Sequence, residues 1–357
     1  MDELTLLRKV REDVAEPSVT ALNVGRAALL DAAAPTMAKP ATRHRVLRRA
    51  GWTTLAVVVA GGVAAILVFT NVVGLAGWRG SADPAAADTL AQAAAATIAT
   101  ADPVVASGQY LEVSTLAVYA SISDTSTYLE HQDGQMYIPA DRHDEWVWVR
   151  DAETVAKTFG PASEKQAAED AQQPGAPDII RAADGAFYNG EPMDWGLTAL
   201  PRDPRQLLNY IYRTTAGQGT SPDGEALAFI ADTLRTGVVP ADLRAALYKA
   251  LAGIPGVSIS DRDATLDGRT GVAFGRNEGN GLRQEIIIDP STGLLIGERE
   301  VVLRDGILPG VPAGESMGWT AVTTTVVDAA PAGGTLCGSG MHPVGSAGSG
   351  QCSGAGK

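Results

Sequence analysis

Five features of this 357-residue chain carry side chains that could do chemistry. The run DRHDE, Asp141 to Glu145, gathers three carboxylates around His143 and would bind a cation if they converged. A solvated turn between two strands explains it as well. DRDATLDG, Asp261 to Gly268, has the acid spacing of a calcium loop in part, but Leu266 stands where such a loop needs glycine. GRNEGNG, Gly275 to Gly281, is glycine-rich yet lacks the Lys-Ser/Thr that a phosphate loop requires, and reads as a hairpin turn. Trp146 and Trp148 in EWVWVRD share one strand face, which is either an aromatic platform for a ligand or core packing. Cys337 and Cys352 are the only two cysteines, and outside a reducing cytosol they are candidates for a disulfide. With only His342 between them, they are too few for a zinc site. His-Glu-x-x-His pairs, P-loops and dinucleotide fingerprints do not occur. The sequence therefore assigns no catalytic residue, no cofactor and no metal, and the expectation is a protein that is not an enzyme.

These features are distributed around a segment of another kind. Residues 50–78 are twenty-nine consecutive uncharged positions. Leu55 to Leu75, with Val59, Ala64 and Phe69 along it, is the most apolar part. As a helix it would be roughly 31 Å long at about 1.5 Å per residue, the thickness of a bilayer's hydrocarbon core. Trp52 and Trp78 sit at its two ends, where amphipathic rings favour the interface. A cleaved signal peptide would need a much shorter leader. Arg43, Arg45, Arg48 and Arg49 precede the span, and Arg79 is the only basic residue from 50 to 141. The positive-inside rule then puts the N-terminus in the cytoplasm and the large C-terminal part outside the cell membrane, in a single pass. Charge divides the same way: residues 1–50 carry +3 and the remainder −16. An acidic outer domain repels phosphates, which excludes a nucleic-acid partner.

The expected organisation is a cytoplasmic segment over 1–49, the transmembrane helix over 50–78, a juxtamembrane helix over 79–102, an extracytoplasmic α+β domain over 103–330 and a flexible Gly/Ser-rich tail over 331–357. Residues 1–35 read as two short amphipathic helices broken at Pro17, too small to bury a core, so they either dock on a partner or form a loosely ordered tail. In the outer part, Asp83-Pro84 opens an alanine-rich helix. Strands are expected in GQYLEVSTLAVYASI, in a hairpin around Asp133-Gly134 and in EWVWVRD. Residues 160–178 read as an exposed loop. Three helices follow, opening at Asp203-Pro204, Ser221-Pro222 and Pro240, and then strands again, with a turn at Asp289-Pro290 closed by Gly293.

The Met-Asp-Glu-Leu-x-Leu-Leu-Arg start, the arginine-rich stretch, the single span and the acidic outer part together resemble a family of actinobacterial single-pass membrane proteins. Genes of that family lie beside those of extracytoplasmic-function sigma factors. The resemblance implies envelope signalling, with a sigma factor as the cytoplasmic partner of residues 1–38, and it supplies no catalytic residues. The zinc-type anti-sigma cluster is excluded, because residues 1–50 contain no cysteine. The order of strands, helices and strands again, with the IIIDPSTGLLIGE turn, is similar to lipoprotein-carrier-like and sigma-regulator sensor domains. That likeness implies a curved antiparallel sheet packed on helices, with an apolar cleft for acyl chains. Two occupants of the outer domain stay open, a lipid or an envelope protein, as does a carrier or scaffold role with no cytoplasmic signalling.

Overall fold

Helix starts are set by local chemistry that the computed structural model shows in detail. It describes residues 80–172, 177–187, 193 and 196–337, and the backbone of Met341–Val344 and Gln351–Gly354. The segment 1–49 with Arg43, Arg45, Arg48 and Arg49, and the span with Leu55, Val59, Ala64, Phe69 and Leu75, lie outside the described residues. Among the described residues no helix is long and apolar enough to cross a membrane.

Helix α1 (Pro84–Ala99) starts where Asp83 accepts the Ala85 amide, with proline in the first turn. Helix α3 (Pro204–Thr214) starts at Asp203, which accepts from Arg205 and Gln206, and α4 (Pro222–Arg235) at Ser221, which accepts from Gly224. Helix α5 (Ala241–Leu251) follows Pro240, which has no capping side chain; Asp102 supplies the cap from a distance by accepting the Ala241 amide at 2.9 Å. The stretch expected as an exposed loop contains a further helix, α2 (Pro161–Asp170). Its Ala and Glu content sustains a helix between Pro161 and the Pro/Gly-rich residues that follow, and the polar composition shows only its exposure.

Twelve strands form one open sheet. In chain order they are β1 (Tyr110–Ile122), β2 (Thr127–His131), β3 (Gly134–Pro139), β4 (Glu145–Arg150), β5 (Thr154–Thr158), β6 (Asp178–Ala183), β7 (Ser258–Leu266), β8 (Arg269–Asn277), β9 (Leu282–Asp289), β10 (Leu294–Val302), β11 (Ser316–Val327) and β12 (Thr335–Leu336). The spatial order is β12-β6-β4-β3-β1-β11-β10-β9-β8-β7, with β2 and β5 branching from β1. All pairings are antiparallel except β12 on β6. Strands β13 (Met341–Val344) and β14 (Gln351–Gly354) pair separately. The α+β architecture with an antiparallel sheet packed on helices is present.

The hairpin expected at Asp133-Gly134 is not. β2 and β3 do not pair with each other: β2 lies on the C-terminal half of β1, from Val118 to Ile122, and β3 on its N-terminal half, from Tyr110 to Thr115. Residues 127–139 thus run as one interrupted strand along β1. At the interruption the Asp133 carboxylate, not a main-chain carbonyl, accepts the Ala117 amide at 2.8 Å. A Cβ on Gly134 would come within 2.7 Å of the Val149 carbonyl, so the residue serves strand–strand approach here and not a turn.

Strand register carries one face of the sheet through two cores. On β8 and β9, Val272, Phe274, Ile286 and Ile288 pack under α1, α3, α4 and α5. Across the same face, Leu111, Val113, Ile138, Trp146, Ile180 and Val322 form a second core with Phe187. Val238, in the α4–α5 connection, touches both. A small third core of Ala273, Ile287, Ile296 and Ala321 lies on the opposite face, closed by Ala264 and Leu266 of β7. β7 reaches it through two register shifts, between Ile259 and Asp261 and between Asp261 and Ala264.

Candidate functional site

The helix face is where a lipid-carrier cleft would lie, and side chains fill it. Leu227 and Ile230 of α4, Leu247 and Tyr248 of α5, and Phe274 and Ile286 of the sheet are all 0% exposed. No apolar cleft separates sheet from helices at these positions. Two depressions lie elsewhere: a shallow one bordered by Ser107–Tyr110 and Pro139–Asp144, and another along Asp305–Pro312.

Between the two main cores the helix face turns polar. Glu298 and Glu300 on β10 point to the helix side, since Glu298 lies opposite Ile286 and Thr320 in the register. Arg235, in the last turn of α4, donates to Glu298 at 2.6 Å and to Asp232 at 2.5 Å. Arg235 and Glu298 are each 12% exposed, whereas Asp232 is largely in solvent. Two carboxylates thus share one guanidinium. Burial pushes the Glu298 carboxyl up to about 7; Arg235 opposes the shift, and Asp232 and Glu300 add to it. Burial also pushes Glu300 up. Tyr119 on β1 adjoins the cluster, its hydroxyl within 3.2 Å of Thr320 Oγ1.

A second polar construction holds α1. The helix lays Ala86, Leu90, Ala93, Ala94 and Thr97 into the core, all at most 1% exposed. Alanine at these positions lets α5 approach closely. The Asp289–Gly293 turn closes the other side: a Cβ on Gly293 would stand 2.3 Å from the Ala93 carbonyl oxygen, and the residue's φ is +67°. Tyr248 donates to the Gly293 carbonyl at 2.8 Å, and Thr100 donates to that of Thr292 at 2.8 Å. Arg244 donates to Thr97 Oγ1, to the Val239 carbonyl at 2.7 Å and to Asp102 at 3.0 Å. Within the turn, burial raises the Asp289 carboxyl, but hydrogen bonds from Ser291 and Thr292 outweigh it and leave the group below its usual value. Residues 79–102, set apart in the sequence as a juxtamembrane helix, therefore include a helix built into the core. Replacing Asp102 by alanine removes both the α5 cap and an Arg244 partner. A loss of about 1–2 kcal/mol is expected in urea denaturation of the full-length chain; an unchanged midpoint would show the two contacts to be idle.

The sequence candidates lie apart from these constructions. His143 Nδ1 is 2.8 Å from Asp184 Oδ1 on an exposed turn, and this hydrogen bond raises the imidazole's pKa. No group of three or more His, Cys, Asp or Glu side chains among the described residues is placed to hold a metal ion. DRDATLDG runs along β7 into the turn before β8, with Asp267 at φ 49°, as a strand and hairpin. In GRNEGNG, Arg276 pairs with Glu278 and donates to Ser221 Oγ at 2.9 Å, which ties the start of α4 to the sheet. Trp146 is 1% exposed, and Trp148 meets Phe187 edge-on at 5.7 Å, so both tryptophans pack on the core. Cys337 is disulfide-bonded and 5% exposed, in the second core; the Cys352 side chain lies outside what is described. Residues 331–337, at the start of the stretch expected as a flexible tail, are tied to the sheet. Arg181 donates to the carbonyls of Pro331 and Gly333, β12 pairs with β6, and the Cys337 amide donates to Arg181 O at 2.8 Å. The glycine-rich composition concealed this edge strand.

No family model matches the chain, and no curated protein matches it. A search of solved structures finds a distant likeness to the Pseudomonas aeruginosa MucA/MucB complex, at 11% identity and a TM-score of 0.24, covering 70% of this chain and 59% of that one. The chain thus spans less than two thirds of that structure.

Proposed function

We propose that this chain is a single-pass membrane protein, with its N-terminus in the cytoplasm, whose outer domain binds a protein at its surface and serves envelope signalling through a sigma factor held by residues 1–38. The observation that carries the anchor is the uncharged run 50–78 between a cluster of four arginines and a single one. Protein binding, as against lipid carriage, is supported by the filled helix face: an acyl chain would have to displace Leu227, Leu247 and Phe274. A non-enzymatic role is part of the same reading; the exposed His143–Asp184 pair and the buried Glu298 belong to different parts of the domain.

Protease protection tests the topology. In sealed, right-side-out membranes, added protease should degrade residues 80–357 and spare an epitope placed at residue 2; loss of that epitope would overturn the orientation. The relay is tested separately by deleting residues 2–38. Co-purification of a sigma factor with the full chain but not with the deletion supports it. Failure of the full chain to retain any sigma factor leaves the second reading, a scaffold acting wholly outside.

A further inference from the structure

The helix layer passes from the first core to the second through the α4–α5 connection, and the charges described above sit at its root. Arg235 is the last residue of α4. Two residues on, Gly237 is seated against the second core, where a Cβ would stand 2.8 Å from Val113 Cγ1 and 3.0 Å from Thr324 Cγ2. Val238 then touches both cores. Beneath Arg235, Glu298 lies between Ile286 of β9 and Thr320 of β11, and Glu300 between Gln284 and Gly318; these register partners are uncharged. The titratable and charged groups around Glu298 are Glu300 on its own strand, Asp232 and Arg235 on α4, and Tyr119 of β1 beside Arg235. Glu225, two turns back on α4, adds its charge near Asp232. With every carboxyl ionised, Asp232, Glu298 and Glu300 outnumber Arg235 three to one, and its guanidinium is shared by two of them. A buried surplus of negative charge is relieved either by a proton or by opening to water.

We infer that the seam between the two cores is a proton-operated latch: with a proton on Glu298 the end of α4 stays shut over β10, and with Glu298 and Glu300 ionised the last turn of α4 and the α4–α5 connection open to solvent. The direction follows from burial. Shut, Glu298 is 12% exposed and holds its proton up to about 7, and burial raises Glu300 as well. Opened, both carboxyls stand in water and lose their protons near the ordinary 4.5. Between those values the shut form binds more protons than the open one, so opening is favoured as pH rises. Arg235 opposes this, but one cation does not cancel three carboxylates. The motion is local, because the flanking elements are fastened by other means. Ser221, Arg276 and Glu278 tie the start of α4 to the sheet, and Leu227 and Ile230 are fully buried in the first core. Asp102 caps α5 from the far side. The stretch between these fastenings, 232–240, is what can swing. The latch gives the domain a response to pH that needs no ligand, and it does not rest on the anchor or on the relay.

Hydrogen exchange of the full-length chain, read by mass spectrometry at pH 5.5 and 7.5 and corrected for intrinsic rates, tests it. Peptides covering 232–240 should exchange ahead of those of β8 and β9 at both pH values. They should lose protection roughly tenfold at the higher pH, since an opening that releases one proton is favoured by up to about tenfold per pH unit. Glu298→Gln should remove most of that difference. Equal protection of 232–240 at the two pH values overturns the latch, as does a difference that survives Glu298→Gln undiminished. Protection matching that of β8 and β9 also overturns it, because the stretch would then open only with the whole domain. The wild-type chain carries a second readout, the infrared band of a protonated carboxyl, expected at pH 6 and gone by pH 8. Should Glu298→Gln fail to fold, this band and the wild-type exchange decide together, and absence of the band at pH 6 overturns the proposal.

Discussion

Arg235→Met should lower stability by about 3–5 kcal/mol at pH 8, because it leaves Glu298 buried without its cation. At pH 5 the loss should be much smaller. The sign follows from the carboxyl held near 7 in the folded state against an ordinary 4.5. Between those values the folded chain binds more protons than the unfolded one, so Glu298's contribution to stability is fully present below about pH 4.5 and is lost as pH rises through 7. In the wild type this loss is at most about 3 kcal/mol. Without Arg235 the carboxyl stays protonated to still higher pH and the loss grows. Arg235→Met with Glu298→Gln should recover most of it, since a neutral amide beside a methionine leaves no buried charge. Urea denaturation of the full-length chain at both pH values measures all three proteins. An equal loss at pH 5 and pH 8 would mean that Arg235 acts by packing its stem and not by its charge.

Leu90→Ala is expected to cost about 3 kcal/mol, within the range for a fully buried leucine cut to alanine. Leu90 is the one large apolar side chain that α1 commits to the core; its other buried positions are alanines and Thr97. Little apolar area beyond this residue holds the helix, so the loss should be local. Hydrogen exchange should rise along 84–99 while amides of β8 and β9 keep their protection. The helix itself should survive, since nine of its sixteen residues are alanine, the strongest helix former. A uniform rise in exchange across the domain would show that α1 is inseparable from the global fold.

Reading the chain alone located the helices that begin with a cap and a proline, because capping is local chemistry spelled out within four residues. It also placed strands in the last third of the chain, where short apolar runs such as Ile286-Ile287-Ile288 are buried on both faces of the sheet. It did less well wherever the deciding partner was remote. Asp133-Gly134 has turn residues, yet Asp133 serves as a substitute carbonyl for a strand sixteen residues earlier. The polar composition of 160–178 concealed α2, and the glycine-rich composition of 331–337 concealed an edge strand. Of the two polar constructions, the α1 clasp was half legible: the Asp289–Gly293 turn stood out, but Arg244 and Asp102 are 142 residues apart and carry no mutual signal. Glu298 and Glu300 alternate with Arg299 like any solvated strand, and only the fold shows that α4 covers them.

The two ends of the sheet bear on how copies of the domain behave together. A bare strand edge invites a neighbour's strand. At one end β7 is broken by two register shifts and carries Asp261, Arg262 and Asp263, which spoil a regular ladder and repel a flat approach. At the other, β6 is occupied by β12, and the adjoining Cys337 is disulfide-bonded. Neither end offers a long, flat template. Strand addition at the β6 end should therefore begin only when residues 331–337 are cut away, and the third edge, β5 on the branch from β1, is only five residues long.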